Sequence, residues 1–445
     1  MEPAFFEKEK VKRAIVFGGG GARGAFEIGV WKALDELDYH ADIVTGTSVG
    51  ALNGALYILG DQTGAEEMWK EIETRDVFGF ESPAEVANLG DYGKTLSEFV
   101  VKIIKEKGLS LKPLEDMVVR YIDDEKEIRE KKIIFGLSTV NFKTKKLENY
   151  YLEDIEKGKL KDYLLASSAL FPAMEKYYID NVPYIDGGYL NNIPIDMALN
   201  KKPDQMVIVD IHGPSFFRHD PRIETCEYMW IRTNWPLGDM LLFDKRRTDI
   251  NIKLGYLETM KLAKSADYIG HWYTFDPSQY NRENEAFYIA LHELLTGQRS
   301  RQLFRHIDKE GYQRELLKEL SRKWKKVVNE ENIMEAVMEI TGRTFKISPD
   351  QRYDIRAFRE TIRVRARRLL ETEQEQPIKA FEPAYILSRK EWSKEFFEQL
   401  PLVSNRRMTV QILRWISDET ISWDHPSVRC HFKSQTASTD PGSLL

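Results

Sequence analysis

The stretch Arg13-Ala14-Ile15-Val16-Phe17-Gly18-Gly19-Gly20-Gly21-Ala22-Arg23-Gly24 sets the frame for the rest of the chain. Its opening is a short, largely apolar run that stops abruptly at glycines. Ala25 to Leu37 then carries Phe26, Val30, Leu34 and Leu37 at helical spacing, which predicts strand, tight loop and helix. The unit repeats at once in Ala41-Asp42-Ile43-Val44-Thr45-Gly46-Thr47-Ser48-Val49-Gly50. There a second strand, Ala41 to Thr45, runs into Gly-x-Ser-x-Gly and then an apolar helix from Val49 to Leu59. Ser48 is predicted to sit on a sharp strand-to-helix elbow, with Gly46 and Gly50 removing the side chains that would clash with it.

The glycine run predicts a concave nest of backbone N–H groups, reinforced by the partial positive charge at the start of the following helix. Such a loop binds an anion, either a phosphate or the oxyanion of a tetrahedral acyl intermediate. Gly19, Gly21 and Gly24 also satisfy Gly-x-Gly-x-x-Gly, which raises a dinucleotide-binding reading. That reading needs an acidic residue at the end of the second strand. Asp42 stands at its beginning, and the serine elbow occupies its end.

A third element is Val182-Pro183-Tyr184-Ile185-Asp186-Gly187-Gly188, in which an aspartate precedes two glycines on a turn that leaves its carboxylate unobstructed. Glycine-rich loop, Gly-x-Ser-x-Gly and Asp-Gly-Gly, in that order, resemble the bacterial-type patatin-like phospholipases, which hydrolyse acyl esters of lipids with a serine–aspartate dyad. The resemblance covers about residues 11–210. It includes Ala166-Ser167-Ser168-Ala169-Leu170-Phe171-Pro172, similar to the family's helix-to-proline segment. It implies Ser48 as nucleophile, Asp186 as base, and the backbone of Gly19, Gly20 and Gly21 as oxyanion donors. Gly24, Gly46, Gly50, Gly187 and Gly188 are the remaining motif glycines. The chemistry agrees, because a serine hydroxyl needs an adjacent base and donors aimed at the developing charge. An aspartate at its ordinary value of about 3.9 is a weak base unless desolvation raises it. Arg23 is a candidate for orienting the glycine loop or contacting a phosphate headgroup.

A conventional triad in the order Ser, Asp, His requires a histidine after Asp186, and His212, ending the strand Met206 to Ile211, is the best placed. No histidine pair has zinc-site spacing, and no metal or cofactor is expected. Two cysteines, Cys226 and Cys430, make no disulfide framework, and Met1 to Lys8 is too charged for a signal peptide. No apolar run reaches spanning length. The chain is therefore expected in the cytoplasm, peripheral at the inner membrane face, with a membrane phospholipid or other acyl-ester lipid as substrate and no nucleic-acid partner.

At 445 residues, with 42% hydrophobic content and a net charge of −6, the chain suggests two domains. The expected fold is α/β. A patatin-like open sheet sandwiched by helices spans residues 1–278, and a mostly helical region spans 279–445, with a loose tail after 431. Between Asp61 and Asp124, helical patterns occur at Ala65 to Ile72, Thr95 to Lys107 and Leu114 to Ile122, the middle one as a core helix covering the sheet or as a lid or membrane-docking helix over the serine. Lys131 to Val140 returns to strand, Leu147 to Leu152 pairs with it, Asn251 to Ser265 is helical, and a strand at His271 to Phe275 closes the first domain. Later helices are expected at Glu283 to Leu295, Tyr312 to Val328, Ile333 to Ile340, Pro349 to Thr372, Arg389 to Gln399 and Asn405 to Ser417. Ser348-Pro349 is a helix start signal. Arg352, Arg356, Arg359, Arg363 and Arg367 then form one stripe, and Arg356, Arg359 and Arg363 are candidate anion-binding residues. The leading function is a lipid acyl hydrolase working through an acyl-enzyme. Alternatives are the same hydrolase acting as a ligand- or partner-activated membrane-degrading effector, and a non-catalytic nucleotide- or lipid-binding module; an activating ligand or a homo-oligomer is a candidate partner.

Overall fold

The structure, a computed structural model, describes residues 4–7, 11–79, 108–122, 124–213, 220–285, 287, 317–318 and 320–372. The chain divides into two compact units, residues 1–265 with 349–351, and residues 266–348 with 352–445.

The first unit is built on one mixed sheet. Its strands are β1 (Arg13–Phe17), β2 (Ile43–Thr47), β3 (Ile134–Asn141), β4 (Lys146–Tyr151), β5 (Tyr177–Ile179), β6 (Val182–Asp186), β7 (Gln205–Val209) and β8 (Glu227–Ile231). They lie in the order β5-β6-β3-β2-β1-β7-β8, with β4 also paired to β3. Strands β3, β2, β1, β7 and β8 run parallel, and β4, β5 and β6 bring antiparallel pairing to one side.

Strand periodicity splits the core between two faces. Ile15 and Phe17 of β1 face one cluster with Val44, Val207 and Val209. Ala14 and Val16 face the other, with Ile43, Met206, Ile208 and Leu199. A strand buried on both faces reads as a continuous apolar run, which is why Ala14 to Phe17 and Met206 to Val209 were legible. On the first face lie helices α1 (Ala25–Glu36) and α2 (Val49–Leu59), joined by α3 (Gln62–Glu71), α4 (Lys112–Tyr121), α5 (Leu160–Ser168) and α6 (Lys245–Ala263).

Helices α1 and α6 approach closely through two glycines. A Cβ on Gly29 would lie 1.8 Å from the Ile252 carbonyl oxygen, and one on Gly255 would lie 1.9 Å from that of Phe26.

The register around β3 decides where the motifs meet. β4 holds one edge of β3 from Gly136 to Asn141. On the other edge β2 pairs with Ile134 to Ser138, and β6 takes over at Thr139, which faces Asp186. The last residue of β2, Thr47, and the last residue of β6, Asp186, therefore sit opposite consecutive residues of the same strand. Chain segments 138 residues apart end side by side.

In the second unit, β9 (Thr274–Phe275) pairs with β10 (Arg352–Tyr353), and helices α7 (Ile333–Thr344) and α8 (Ile355–Thr372) follow the expected helical character. Two expectations are corrected. The strand expected to close the first domain belongs to this second unit. The last helix does not start at Pro349: residues 352–353 are in the β10 pairing, and Asp354 caps the helix by accepting from the N–H groups of Arg356 and Ala357. The local Ser-Pro signal is overridden by strand pairing and by a better N-cap, Asp354, which follows β10 directly. Buried Glu339 organises this unit, accepting hydrogen bonds from the backbone of Trp272 and Tyr273 and from the Trp324 indole. The expected helices at Thr95 to Lys107, Arg389 to Gln399 and Asn405 to Ser417, and the tail after 431, lie outside the described residues. So do most of Glu283 to Leu295 and the start of Tyr312 to Val328.

The paired glycines yield a test of the packing. Gly255→Ala forces α1 and α6 apart, and overpacking of this kind costs about 1–3 kcal/mol. Thermal melting should show a lowering of about 2–10 °C. An unchanged melting temperature would show that the two helices do not depend on this approach.

Candidate active site

Ser48 occupies the turn between β2 and α2 with φ 56° and ψ −130°, a backbone conformation that disfavours any residue with a side chain. The flanking glycines permit it by close approach. A Cβ on Gly46 would lie 2.3 Å from the Gly50 carbonyl oxygen, and one on Gly50 would lie 2.5 Å from that of Phe17. The elbow is also held from α5, where the Ser167 hydroxyl accepts from the Ser48 N–H at 2.9 Å and donates to the Ser138 carbonyl at 2.7 Å.

The Ser48 hydroxyl donates to Asp186 Oδ2 at 2.6 Å, and Asp186 Oδ1 accepts from the Gly188 N–H at 2.7 Å. Asp186 is 4% exposed. Burial pushes its carboxyl up from 3.8 to about 6, against the opposing effect of the hydrogen bonds from Ser48 and Gly188. A carboxylate in that position is a far stronger base than a solvated aspartate, yet is still ionised at neutral pH. The arrangement can take a proton from the serine hydroxyl. His212 makes no triad: its ring Nε2 meets the Thr233 carbonyl at 2.7 Å, while the serine hydroxyl is bonded to Asp186.

The glycine loop divides its labour, and one expected donor is corrected. The N–H of Gly19 donates to the Asn192 carbonyl at 3.0 Å, so it is committed to the scaffold and not open to an oxyanion. Among the described residues no acceptor takes the N–H of Gly20 or Gly21, and both glycines line a cavity of about 240 Å³ together with Ser48 and Asp186. The N-terminus of α2 begins at the next residue, Val49, and adds its partial positive charge.

Arg23 is tied to two backbone carbonyls beside the loop. Its Nε donates to the Gly238 carbonyl at 2.8 Å, and a terminal nitrogen donates to the His212 carbonyl. Of the expected arginine stripe, Arg352 lies on β10 and is ion-paired with Asp276 at 2.7 Å, and Arg356 is bound to buried Glu283 at 2.5 Å. Arg359 is buried, and the side chain of Arg363 lies outside what is described. The anion-binding reading of Arg356 is therefore replaced by a structural ion pair.

Sequence reasoning missed several contributors. Asn192 brackets the loop, since its side-chain amide also donates to the Gly19 carbonyl at 3.0 Å. Behind the loop, buried Glu27 accepts from Asn53 at 2.7 Å, and Asn53 in turn donates to Gly24 and accepts from Trp69. Burial pushes the Glu27 carboxyl well above the usual carboxylate range. Asn192 follows the Asp-Gly-Gly motif and Glu27 follows the glycine run, but neither carries a local signal of its partner. The cavity walls are apolar, with Leu52, Met68, Trp69, Leu114 and Phe243 among them. The segment between Asp61 and Asp124 thus supplies part of the wall over the serine.

Residues 15–199 match the family model described as patatin-like phospholipase. That span of the chain is a patatin-like phospholipase domain. The chain is 24% identical over 260 residues to "Lysophospholipase NTE1" of Scheffersomyces stipitis, covering 57% of this chain and 15% of that protein. It is 23% identical over 271 residues to "Patatin-like phospholipase domain-containing protein 7" of Rattus norvegicus, covering 57% of this chain and 18% of that protein. The match therefore spans less than a fifth of the length of these curated relatives. VipD from Legionella pneumophila aligns over 93% of both chains at 12% identity and a TM-score of 0.34, a likeness too weak to bear on fold or function. Within the patatin-like domain lie both Ser48 and Asp186, and the sheet flanked by helices is the α/β architecture expected from the motifs.

The raised Asp186 fixes the sign of a stability test. Its folded value, about 6, lies above its ordinary 3.8, so its contribution to stability is present below 3.8 and is lost as pH rises through about 6. Asparagine at this position is neutral throughout and escapes that loss. Asp186→Asn should melt higher than the unsubstituted protein at alkaline pH, and the difference should shrink on acidification. A variant less stable at alkaline pH would show that burial does not penalise this carboxylate.

Proposed function

We propose that the chain is a lipid acyl hydrolase that cleaves carboxylic esters of membrane lipids through an acyl-enzyme on Ser48. The observation that carries this reading is the 2.6 Å hydrogen bond from the Ser48 hydroxyl to a buried, raised Asp186, lining an apolar cavity. As Ser48 Oγ attacks the ester carbonyl, its proton passes to Asp186 and the carbonyl oxygen becomes an oxyanion. The N–H groups of Gly20 and Gly21 and the start of α2 stabilise that charge. Collapse breaks the ester C–O bond, and Asp186 returns the proton to the departing alcohol. A water then gives its proton to Asp186, attacks the acyl-enzyme and releases the fatty acid, with Ser48 recovering its proton. The apolar walls suit an acyl chain, and the relatives named as lysophospholipases favour glycerophospholipids and their single-chain derivatives as the substrate class. Gly24, Gly46, Gly50, Gly187 and Gly188 serve the geometry of the loop and the two turns.

The enzyme is read as working at a membrane face, on the side open to the cytoplasm. Among the described residues no helix is long and apolar enough to cross a membrane. The N-terminal unit carries the chemistry, and the C-terminal region is assigned no chemical step.

Ser48→Ala should abolish hydrolysis of a soluble short-chain ester and labelling by a serine-directed phosphonate, with an unchanged melting curve. Substantial turnover in that variant ends the proposal. Asp186→Asn should lower the rate by about 10²–10⁴-fold, the usual worth of a general base, whereas His212→Ala should leave it near the original. In the unsubstituted protein, activity should fall as pH drops through about 6, where Asp186 becomes protonated. An inactive His212→Ala that still folds, beside an active Asp186→Asn, would assign the base to histidine.

A further inference from the structure

We propose that the tip of the β3–β4 hairpin and the segment Phe171 to Lys176 form a docking patch for an anionic phospholipid bilayer beside the mouth of the cavity. This rests on the hydrolase reading for its substrate, but its own evidence is separate.

The placement follows from the strand register. β2 ends at Thr47, opposite Ser138 of β3, and Ser48 follows directly. β3 continues to Asn141 before turning, so the hairpin tip stands about 10 Å past the elbow along the strand direction. The turn is held by the Asn141 side chain, which accepts from the N–H groups of Lys143 and Thr144 at 3.0 and 3.1 Å.

Across from it, the Phe171 ring packs edge-on against Phe142 with centroids 5.3 Å apart. Phe171 is next in the chain to Leu170, which lines the cavity, and its carbonyl accepts from the hydroxyl of Tyr189, another lining residue. Tyr189 and Leu190 are 40% and 42% exposed, an apolar rim a few residues from Asp186. The patch is therefore continuous with the entrance to the site.

Charge decides what covers it. Lys145 Nζ lies 3.2 Å and Lys176 Nζ 3.9 Å from the Phe142 ring centroid, so the two ammonium groups are at most about 7 Å from one another. Lys143 and Lys146 flank them in the hairpin. Among the described residues, none of these four lysines has a carboxylate within ion-pair distance, although lysines elsewhere on this acidic chain, such as Lys32, Lys70, Lys159 and Lys161, are paired. Two cations sharing one ring repel each other, and the ring's quadrupole answers only part of that. A phosphodiester anion supplies the missing charge. An isolated phosphate would leave Tyr189, Leu190 and the phenylalanines in water, whereas a bilayer surface takes lysines at the headgroups and aromatic and aliphatic side chains just beneath them.

The test uses the full chain with Ser48→Ala, which separates binding from turnover, and sedimentation with vesicles of phosphatidylcholine, with and without phosphatidylglycerol. Binding should require phosphatidylglycerol and fall with added salt. Lys145→Glu with Lys176→Glu should weaken it by about tenfold or more, and the corresponding glutamine pair by less. With Ser48 restored, the charge-reversed protein should hydrolyse a soluble short-chain ester within about twofold of the original rate while losing activity on the charged vesicles. Binding that is absent, indifferent to phosphatidylglycerol or unaffected by the reversal overturns the patch, as does loss of soluble-ester hydrolysis on reversal. If the unsubstituted protein shows no esterase activity but the lysine pair still governs vesicle binding, the hydrolase reading fails and the docking patch stands.

Discussion

A single edge of β3 carries the constraint on which the rest of this domain depends. β2 and β6 share that edge end to end, so Thr47 and Asp186 face consecutive residues and the serine that follows Thr47 meets the aspartate at 2.6 Å. Crowding at the junction is severe. A Cβ on Gly187 would lie 2.2 Å from the Ser138 carbonyl oxygen, so the turn after the aspartate tolerates only a glycine at that height. The Asp-Gly-Gly motif is thus a packing requirement as well as a chemical one. The left-handed backbone of Ser48 is held by the same neighbourhood, through Ser167 and the Ser138 carbonyl.

The glycine loop is shaped from outside itself. Gly18 donates to Val209, Gly19 to Asn192, and Ala22 to Met240, which pins the loop on both sides and leaves Gly20 and Gly21 at the cavity. Arg23 ties the following turn to the Gly238 and His212 carbonyls. Preorganisation of this kind matters because donors that are already fixed lose no reorganisation energy as charge develops on the substrate. Glu27, Asn53 and Trp69 extend the support behind the loop, and Trp69 is also part of the cavity wall. The apolar wall of the cavity and the glycine loop are consequently one hydrogen-bonded assembly.

What the sequence made legible is what its local chemistry determines. The first strand, loop and helix, the serine elbow and the Asp-Gly-Gly turn were all readable because period, glycine placement and motif spacing specify them within a few residues. Gly19 was misread because a glycine's N–H gives no local sign of which acceptor it will find, and that acceptor, Asn192, lies 173 residues on. The helix start at Pro349 was misread for a similar reason: Arg352 and Tyr353 are taken by a strand 78 residues earlier. Arg356 leaves the expected stripe through charge pairing at a distance, since Glu283 is buried and claims it. Helical spacing places side chains on a face, but it cannot say which long-range carboxylate will meet them.

In the proposed mechanism, burial stands in for the histidine of a conventional triad. A histidine base is poised near neutrality by its intrinsic value of about 6.5, whereas a carboxylate must be brought there by its surroundings. Two hydrogen bonds, from Ser48 and Gly188, stabilise the charged form and pull Asp186 downward, and desolvation outweighs them both. That balance requires an apolar enclosure without a nearby cation, because an ion pair would return the carboxylate to its ordinary weakness as a base. Placing a cationic headgroup-binding residue in this cavity would therefore weaken the base. Under the proposed mechanism a headgroup-binding charge therefore belongs outside the cavity, and the docking patch proposed above would carry it on Lys145 of the β3–β4 hairpin and Lys176, which share the Phe142 ring, rather than beside the carboxylate.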